Sequence, residues 1–569
     1  MADLVIRNGT IIDGTGAAPF EADIAVENGK IVAMGKIYAS GVEEIDARGK
    51  IVTPGFIDPH SHYDAQATWS SRITPSSWHG VTTTMIGNCG VGFAPCRPDQ
   101  RDMLVKLMEG VEDIPEPVLT EGLPWNWQSF PDYLDALEAR SYDLDVATQV
   151  PHAAVRVFVM GQRGVDREPA TQADSDAMAR LAVEGIQAGA LGFSTSRTIN
   201  HKTKAGDLIP TLQAEESELE TIARALHGID AGWLQVISDF DAPAEEFAML
   251  RRLAAAAGRP MAITILQRDN KPEEWRQITG WIAEANAAGH PMLGQVLTRA
   301  TGVLLGFEIS QNPFIGCPSY QAIANLPFEQ RLAALRKSEL RAKLLSETTD
   351  DPVLARRVSR WDRIFPLGDP PDYEPAPENS IAARAAREGR APADLAYDLL
   401  LENGGKTMLY RPLSNYTYGN LDTVHDMLTH PATIVGLGDG GAHVGILSDA
   451  SFISTMLTHW TRDRSRGPRV SLPWAIKRVT QDSAVAIGLR DRGVVAVGYK
   501  ADLNVIDYDR LRLHVPEVVY DLPGGGRRLI QRADGYEATI VSGVQVNRNG
   551  EATGALPGRL VRGGQPAPI

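Results

Sequence analysis

Eight short strand-like segments alternate with helix-like stretches along the middle of this chain, and that alternation constrains its fold more than any other feature. The series opens at Phe56-Ile57 and continues through residues 80–87, 145–150, 189–194, 232–237, 260–265, 292–297 and 433–438, with amphipathic stretches such as 214–226 between them. Strict alternation is the sequence mark of parallel βαβ construction. Eight repeats point to an α/β fold with a (β/α)8 TIM barrel, whose functional groups gather at the C-terminal ends of the strands. Residues 300–430, between the seventh and eighth segments, break the repeat. They are charged and helix-rich, and a connection of that length serves as a lid, a substrate-binding insertion or an oligomer contact.

The two ends of the chain have a different texture. Residues 3–50 read as short strands separated by turns, with Asn8-Gly9 and Asn28-Gly29 as hairpin signals. Residues 498–507 and 538–547 show the same strand-turn pattern. The expected organisation is therefore one discontinuous β-sandwich made of residues 1–52 and 486–569, with the barrel, residues 53–485, inserted between its halves.

A chain of 569 residues is long enough for both units. Its formal net charge of -15 would repel phosphates and argues against a nucleic-acid partner. No apolar run reaches the length of a membrane span, and no charged segment followed by an apolar one opens the chain. Three cysteines, Cys89, Cys96 and Cys317, cannot make a disulfide framework, so a reducing, cytoplasmic setting is expected. Membrane partners are not expected, and a homo-oligomer is left open.

The first barrel segment ends in Pro59-His60-Ser61-His62. On an extended strand, residues two apart face the same way, so His60 and His62 can meet one ion; alone, the pair also reads as an incidental turn. Barrel logic sorts the remaining candidates. Cys89 ends the second strand, His152 follows the third, and Arg197 closes the fourth with His201 just beyond it. Asp439 and His443 follow the eighth. An aspartate set among glycines at the last strand's end can ligate a divalent ion and take a proton from the water that ion activates. It can equally cap a turn. Cys89 is either a thiolate ligand or a small buried apolar residue. His152, His201 and His443 are candidates to stabilise a developing oxyanion or to place a substrate; His201 and His443 also read as loop histidines with backbone partners.

Several spaced motifs occur in one order: PGFIDPHSHYD at 54–64, GNCGVGFAP at 87–95, GALGFSTSR at 189–197, GDGGAH at 438–443 and DRGVVAVGYKADLNVID at 491–507. Together they resemble the amidohydrolase superfamily, and within it the N-acyl-D-amino-acid deacylase (D-aminoacylase) branch. The resemblance spans essentially the whole chain. It implies a sandwich built from both termini, a zinc-bearing barrel, and hydrolysis of an amide-type bond by a metal-activated water. Carried over by position, His60, His62 and Asp439 match metal ligands, Asp439 also matches the catalytic acid/base, and Cys89 matches the cysteine that joins the metal site.

Two departures modify that expectation. The fifth and sixth strands of the relatives supply histidines, whereas here 233–239 and 263–267 contain none. One ion per chain, Zn2+ or another divalent metal, is therefore expected. The relatives also hold the substrate carboxylate with an arginine after the last strand, and residues 443–451 contain no arginine; Arg197, Lys202 and Lys204 are the nearby replacements. The expected activity is metal-dependent hydrolysis of a small-molecule amide. Hydrolysis of a cyclic amide or imide, deamination at the same one-metal site, and ligand binding without turnover are the alternatives.

Overall fold

The computed structural model of the chain describes residues 1–229, 231–447 and 449–569. Ser448, one of the residues 443–451 read for an arginine, lies outside the described residues. Both ends of the chain share one nine-stranded sheet. Its N-terminal members are β1 (Ala2–Ile11), β2 (Phe20–Glu27), β3 (Lys30–Gly35), β4 (Gly41–Asp46) and β5 (Ile51–Pro54). Asn28-Gly29 closes the β2–β3 hairpin as expected, but Asn8-Gly9 does not turn the chain: left-handed Asn8 sits inside β1, where the pairing with β2 shifts register between Ile6 and Gly9. The sheet crosses from one end of the chain to the other where β5 pairs antiparallel with Leu503–Ile506, Val52 facing Val505. Tyr536–Val541, Val544–Arg548 and Glu551–Ala552 complete it. Its apolar face buries Leu4, Ile6, Ile24, Val52, Leu503 and Ile540.

All eight central segments are strands, and all pair in parallel. The first arc is β6 (Phe56–Asp58), β7 (Val81–Ile86) and β8 (Asp145–Thr148). The second runs in order through β9 (Val150–Pro151), β10 (Gly192–Arg197), β11 (Trp233–Ser238), β12 (Met261–Thr264), β13 (Met292–Val296) and, beyond the insertion, Thr433–Val435. Gln149 interrupts the third strand, but its amide bonds Ile86 and the Leu191 amide bonds Thr148, so the arcs remain joined there. At the other seam the Asp439 amide donates to the His60 carbonyl (3.2 Å) and the His62 amide to the Gly440 carbonyl (2.7 Å).

Helices between the strands follow the 3.6-residue period. Pro243–Ala257 starts with proline at its first turn, buries Phe247, Leu250, Leu253, Ala254 and Ala257, and ends at left-handed Gly258. Gln172–Ala188 is opened by a Thr171–Asp174 capping box and closed at Gly189. Between β13 and the last strand lies a helical insertion with a core of its own, including Leu305, Phe307, Phe314, Tyr397 and Leu400. It begins and ends on paired antiparallel strands, Thr301–Leu305 and Leu409–Ser414. Among the described residues, no helix is long and apolar enough to cross a membrane.

Candidate metal centre

The C-terminal ends of β6, β7 and the last strand bring His60, His62, Cys89 and Asp439 together. Side-chain ligand atoms of His60, His62 and Cys89 all lie within 4.8 Å of one another. His60 Nε2 is 3.2 Å from Cys89 Sγ and 3.5 Å from Asp439 Oδ1, and His62 Nε2 is 3.7 Å from the same oxygen. Close approach at the seam requires glycine: a Cβ on Gly441 (φ +88) would sit 2.7 Å from the His62 carbonyl oxygen. Three side chains here are carried on left-handed backbone, Cys89, Asp439 and His443, a conformation that costs energy in non-glycine residues and collects at functional sites.

The surroundings fix the chemical form of each group. His60 Nδ1 lies 2.8 Å from Gln295 Oε1 on β13. An amide oxygen only accepts, so Nδ1 carries the proton and Nε2 presents its lone pair to the cluster. Burial lowers the His60 pKa to about 4 against the pull of Gln295, and lowers that of His62 well below its ordinary value, helped by the neighbouring His60, His443 and His201. Both are neutral imidazoles, the form that ligates. Burial raises the Asp439 carboxyl to about 6, with His443 opposing and Asp449 adding. Burial raises the Cys89 thiol too, and the Asp439 and Glu112 carboxylates add to it.

These residues fit a divalent ion. His62 Nδ1, Asp439 Oδ1 and both oxygens of Glu112 are buried atoms without a hydrogen-bond partner among the described residues. Such atoms are expensive to bury. Imidazole, thiol and carboxylate in one shell are a zinc-type donor set, and a nearby cation would also release the Cys89 proton.

The cluster opens into a cavity of about 640 Å³, lined on one side by His201 and Lys202 after β10 and on the other by Thr301, Val303, Leu413 and Arg357 of the insertion. His201 and His443 both reach it. His201 Nδ1 is 2.8 Å from Ser196 Oγ, which leaves Nε2 available. Two expected substrate-binding residues do not reach it. His152 is buried with Nδ1 on Thr195 (2.8 Å) and Nε2 on Glu218 (2.9 Å). Arg197 forks onto Glu246 and donates to the Ala214 carbonyl. The reason is the strand's period of two. Ser194 and Ser196 face inward, to the Gly87 carbonyl and His201, so Thr195 and Arg197 face the outer helices.

Three residues near the cluster escape the sequence reading: Gln295, Glu112 and Arg357. Glu112 ends the helix Arg101–Glu112, whose buried face is Leu104, Val105, Leu107, Met108 and Val111. A glutamate that continues an apolar face, four residues after Met108, is a legible anomaly. Arg357, in the short helix Pro352–Val358, carries no comparable signal.

The family model described as amidohydrolase family matches residues 43–547. N-acyl-D-aspartate deacylase of Alcaligenes xylosoxydans xylosoxydans is 29% identical over 579 residues, covering 100% of this chain and 96% of that protein. Among solved structures, the N-acyl-D-glutamate deacylase of Bordetella bronchiseptica, complexed with zinc and a phosphonate inhibitor that mimics the tetrahedral intermediate, superposes with a TM-score of 0.65 at 22% identity, covering 99% of each chain. A D-aminoacylase studied for its binuclear metal centre, with one-metal activation and second-metal attenuation, gives a TM-score of 0.66 at 23% identity, covering 99% of this chain and 100% of that one.

Proposed function

Because the chain belongs to the amidohydrolase family, and is thereby a hydrolase of carbon–nitrogen bonds other than peptide bonds, we propose that it is a one-metal deacylase of N-acyl amino acids. The observation that carries this reading is the convergence of His60, His62 and Cys89 within 4.8 Å, with Asp439 Oδ1 at 3.5 Å from His60. These four residues would hold the ion, zinc first by donor type, and a bound ion would supply carbonyl polarisation and a water of near-neutral pKa. The Asp439 carboxylate would accept a proton and return it to the leaving nitrogen. His201 and His443 orient the carbonyl from the cavity wall. The two parallel arcs, joined at both seams, are read as one closed (β/α)8 barrel of residues 53–485, with residues 1–52 and 486–569 as the second unit.

The substrate class follows from charge. Arg357 and Lys202 line the cavity, and no carboxylate among the described residues lies at ion-pair distance from the Arg357 guanidinium. A planar fork left open at a binding cavity suits a free carboxylate. The relatives that deacylate N-acyl-D-aspartate and N-acyl-D-glutamate support the same class. The test uses metal-stripped protein with and without added zinc, on N-acyl-D-amino acids and their uncharged carboxamide counterparts. Free carboxylate released only by the zinc-loaded protein, and at least about tenfold faster from the charged member of each pair, is the expected result. Equal rates on both members would remove the anionic class, and no turnover of either would remove the deacylase.

A further inference from the structure

Glu112 is the least explained group near the cluster. It lies 1% exposed on the last turn of the helix Arg101–Glu112, where the helix dipole opposes a negative charge. Neither of its oxygens has a hydrogen-bond partner among the described residues. Packing alone gives no reason for it: an apolar side chain would continue the helix's buried face at lower cost. The backbone holds it in place, because the next residue, Asp113, takes left-handed angles and its Oδ2 accepts the Gly445 amide at 3.2 Å. That bond ties the helix end to the loop that carries Asp439 and His443.

What Glu112 faces is His62. Its Oε1 lies 3.2 Å from His62 Nδ1, which likewise has no hydrogen-bond partner among the described residues. The separation is that of a hydrogen bond and the alignment is not. A carboxylate oxygen facing the far nitrogen of a histidine that would ligate through its other nitrogen is the arrangement in which that N–H is donated. His60 already has this arrangement, with Nδ1 on Gln295 and Nε2 toward the cluster.

We propose that Glu112 is a positioning residue of the metal centre, whose carboxylate accepts Nδ1–H of His62 and so fixes Nε2 on the ion. The inference rests on the metal reading above. The two histidines then have unlike supports, a neutral amide behind His60 and a carboxylate behind His62. The carboxylate makes His62 the stronger donor. In a site without histidines from β11 and β12, that added donor strength replaces part of what the missing ligands would supply.

The experiment compares full-length wild type with Glu112→Gln and Glu112→Asp. It reads zinc affinity by competition with a chromogenic chelator, the visible spectrum of the cobalt(II)-loaded proteins, and thermal melting of the metal-free proteins. Glu112→Gln is expected to weaken zinc by about 10–100-fold and to shift the cobalt bands, while its metal-free form melts no lower than wild type. Glu112→Asp, which keeps the charge one methylene short, is expected to fall between the two in affinity. A Gln variant that binds zinc within twofold of wild type and leaves the cobalt spectrum unchanged overturns the proposal. Should the Gln variant fail to fold, Glu112→Asp decides alone, and wild-type affinity and spectrum in it overturn the proposal equally. A wild-type protein that takes up no ion would sink the metal reading itself, a result distinct from a well-bound ion indifferent to Glu112.

Discussion

Two buried glutamates beside histidines show how differently this molecule treats the same chemistry. Glu374, within the insertion, has every lone pair occupied. Its Oε1 accepts from the Leu421 amide (2.8 Å) and Arg464 (3.0 Å), and its Oε2 from His459 (2.8 Å) and Arg464 (3.0 Å). Burial alone would raise its pKa, but His459, Arg464 and the Leu421 amide outweigh it and bring the value to about 2. Glu112 is as deeply buried and has none of this, and its pKa is driven well above the ordinary range by burial, with Asp439 and Asp64 adding. A saturated cluster is finished structure, because no further partner could improve it. Around Glu112 several orphaned atoms gather instead, at the candidate metal centre. The buried His152–Glu218–Arg156 group belongs with Glu374: both ring nitrogens of His152 are occupied, by Thr195 and Glu218, although its place just after the third strand pointed to the cavity.

The largest expected effect breaks the unsaturated side. Asp439→Asn keeps the shape of the side chain and removes its ability to hold and return a proton. Turnover should drop by at least about 1000-fold, with the melting temperature of the metal-free protein unchanged or raised. Rates within tenfold of wild type would take away the catalytic role of Asp439.

The counterpart on the saturated side is Glu374→Ala. It leaves Arg464 and His459 without their shared carboxylate in a buried setting, and a loss of about 3–5 kcal/mol in stability is expected, measured by denaturant unfolding. Zinc affinity should stay as in wild type. A Glu374 variant that loses zinc while keeping its stability would erase the distinction between the two clusters.

How much of this contrast was legible beforehand depends on what sets each feature. The eight strands were, because a short apolar run between turn signals is a local property; so was the convergence of His60, His62, Cys89 and Asp439, because parallel strands present all their C-terminal ends on one side. The strand-turn texture of the two termini was legible, and Asn28-Gly29 is a hairpin; Asn8-Gly9 was misleading, because the same dipeptide also suits a bulge inside a strand. Side-chain direction at a strand's last residue was not: Arg197 and His201 lie four residues apart, yet one faces the outer helices and the other the cavity. Partners distant in the chain were equally hidden, since Gln295 meets His60 across 235 residues. Glu112 was visible as an anomaly on an apolar helix face, but its meaning depends on His62 lying opposite, and only the fold supplies that.

The smallest effect sharpens the comparison through pH. A carboxyl whose folded pKa lies below its unfolded value binds its proton less tightly when folded. Its contribution is therefore whole above the ordinary value of 4.5 and disappears as pH falls through the folded value of about 2. For Glu374 that contribution is on the order of 3 kcal/mol. Glu112 has the opposite sign: its raised pKa favours the folded state when protonated, so acid does not unfold the protein through it. Metal-free wild type, melted between pH 6 and pH 2.5, should therefore lose stability more steeply than Glu374→Gln, while Glu112→Gln should lose it at least as steeply as wild type. The groups common to all three proteins cancel in the differences. Parallel curves for wild type and Glu374→Gln would mean that Glu374 is no better satisfied than Glu112, and the separation of scaffold from site by saturation would fail at the cluster where it is clearest.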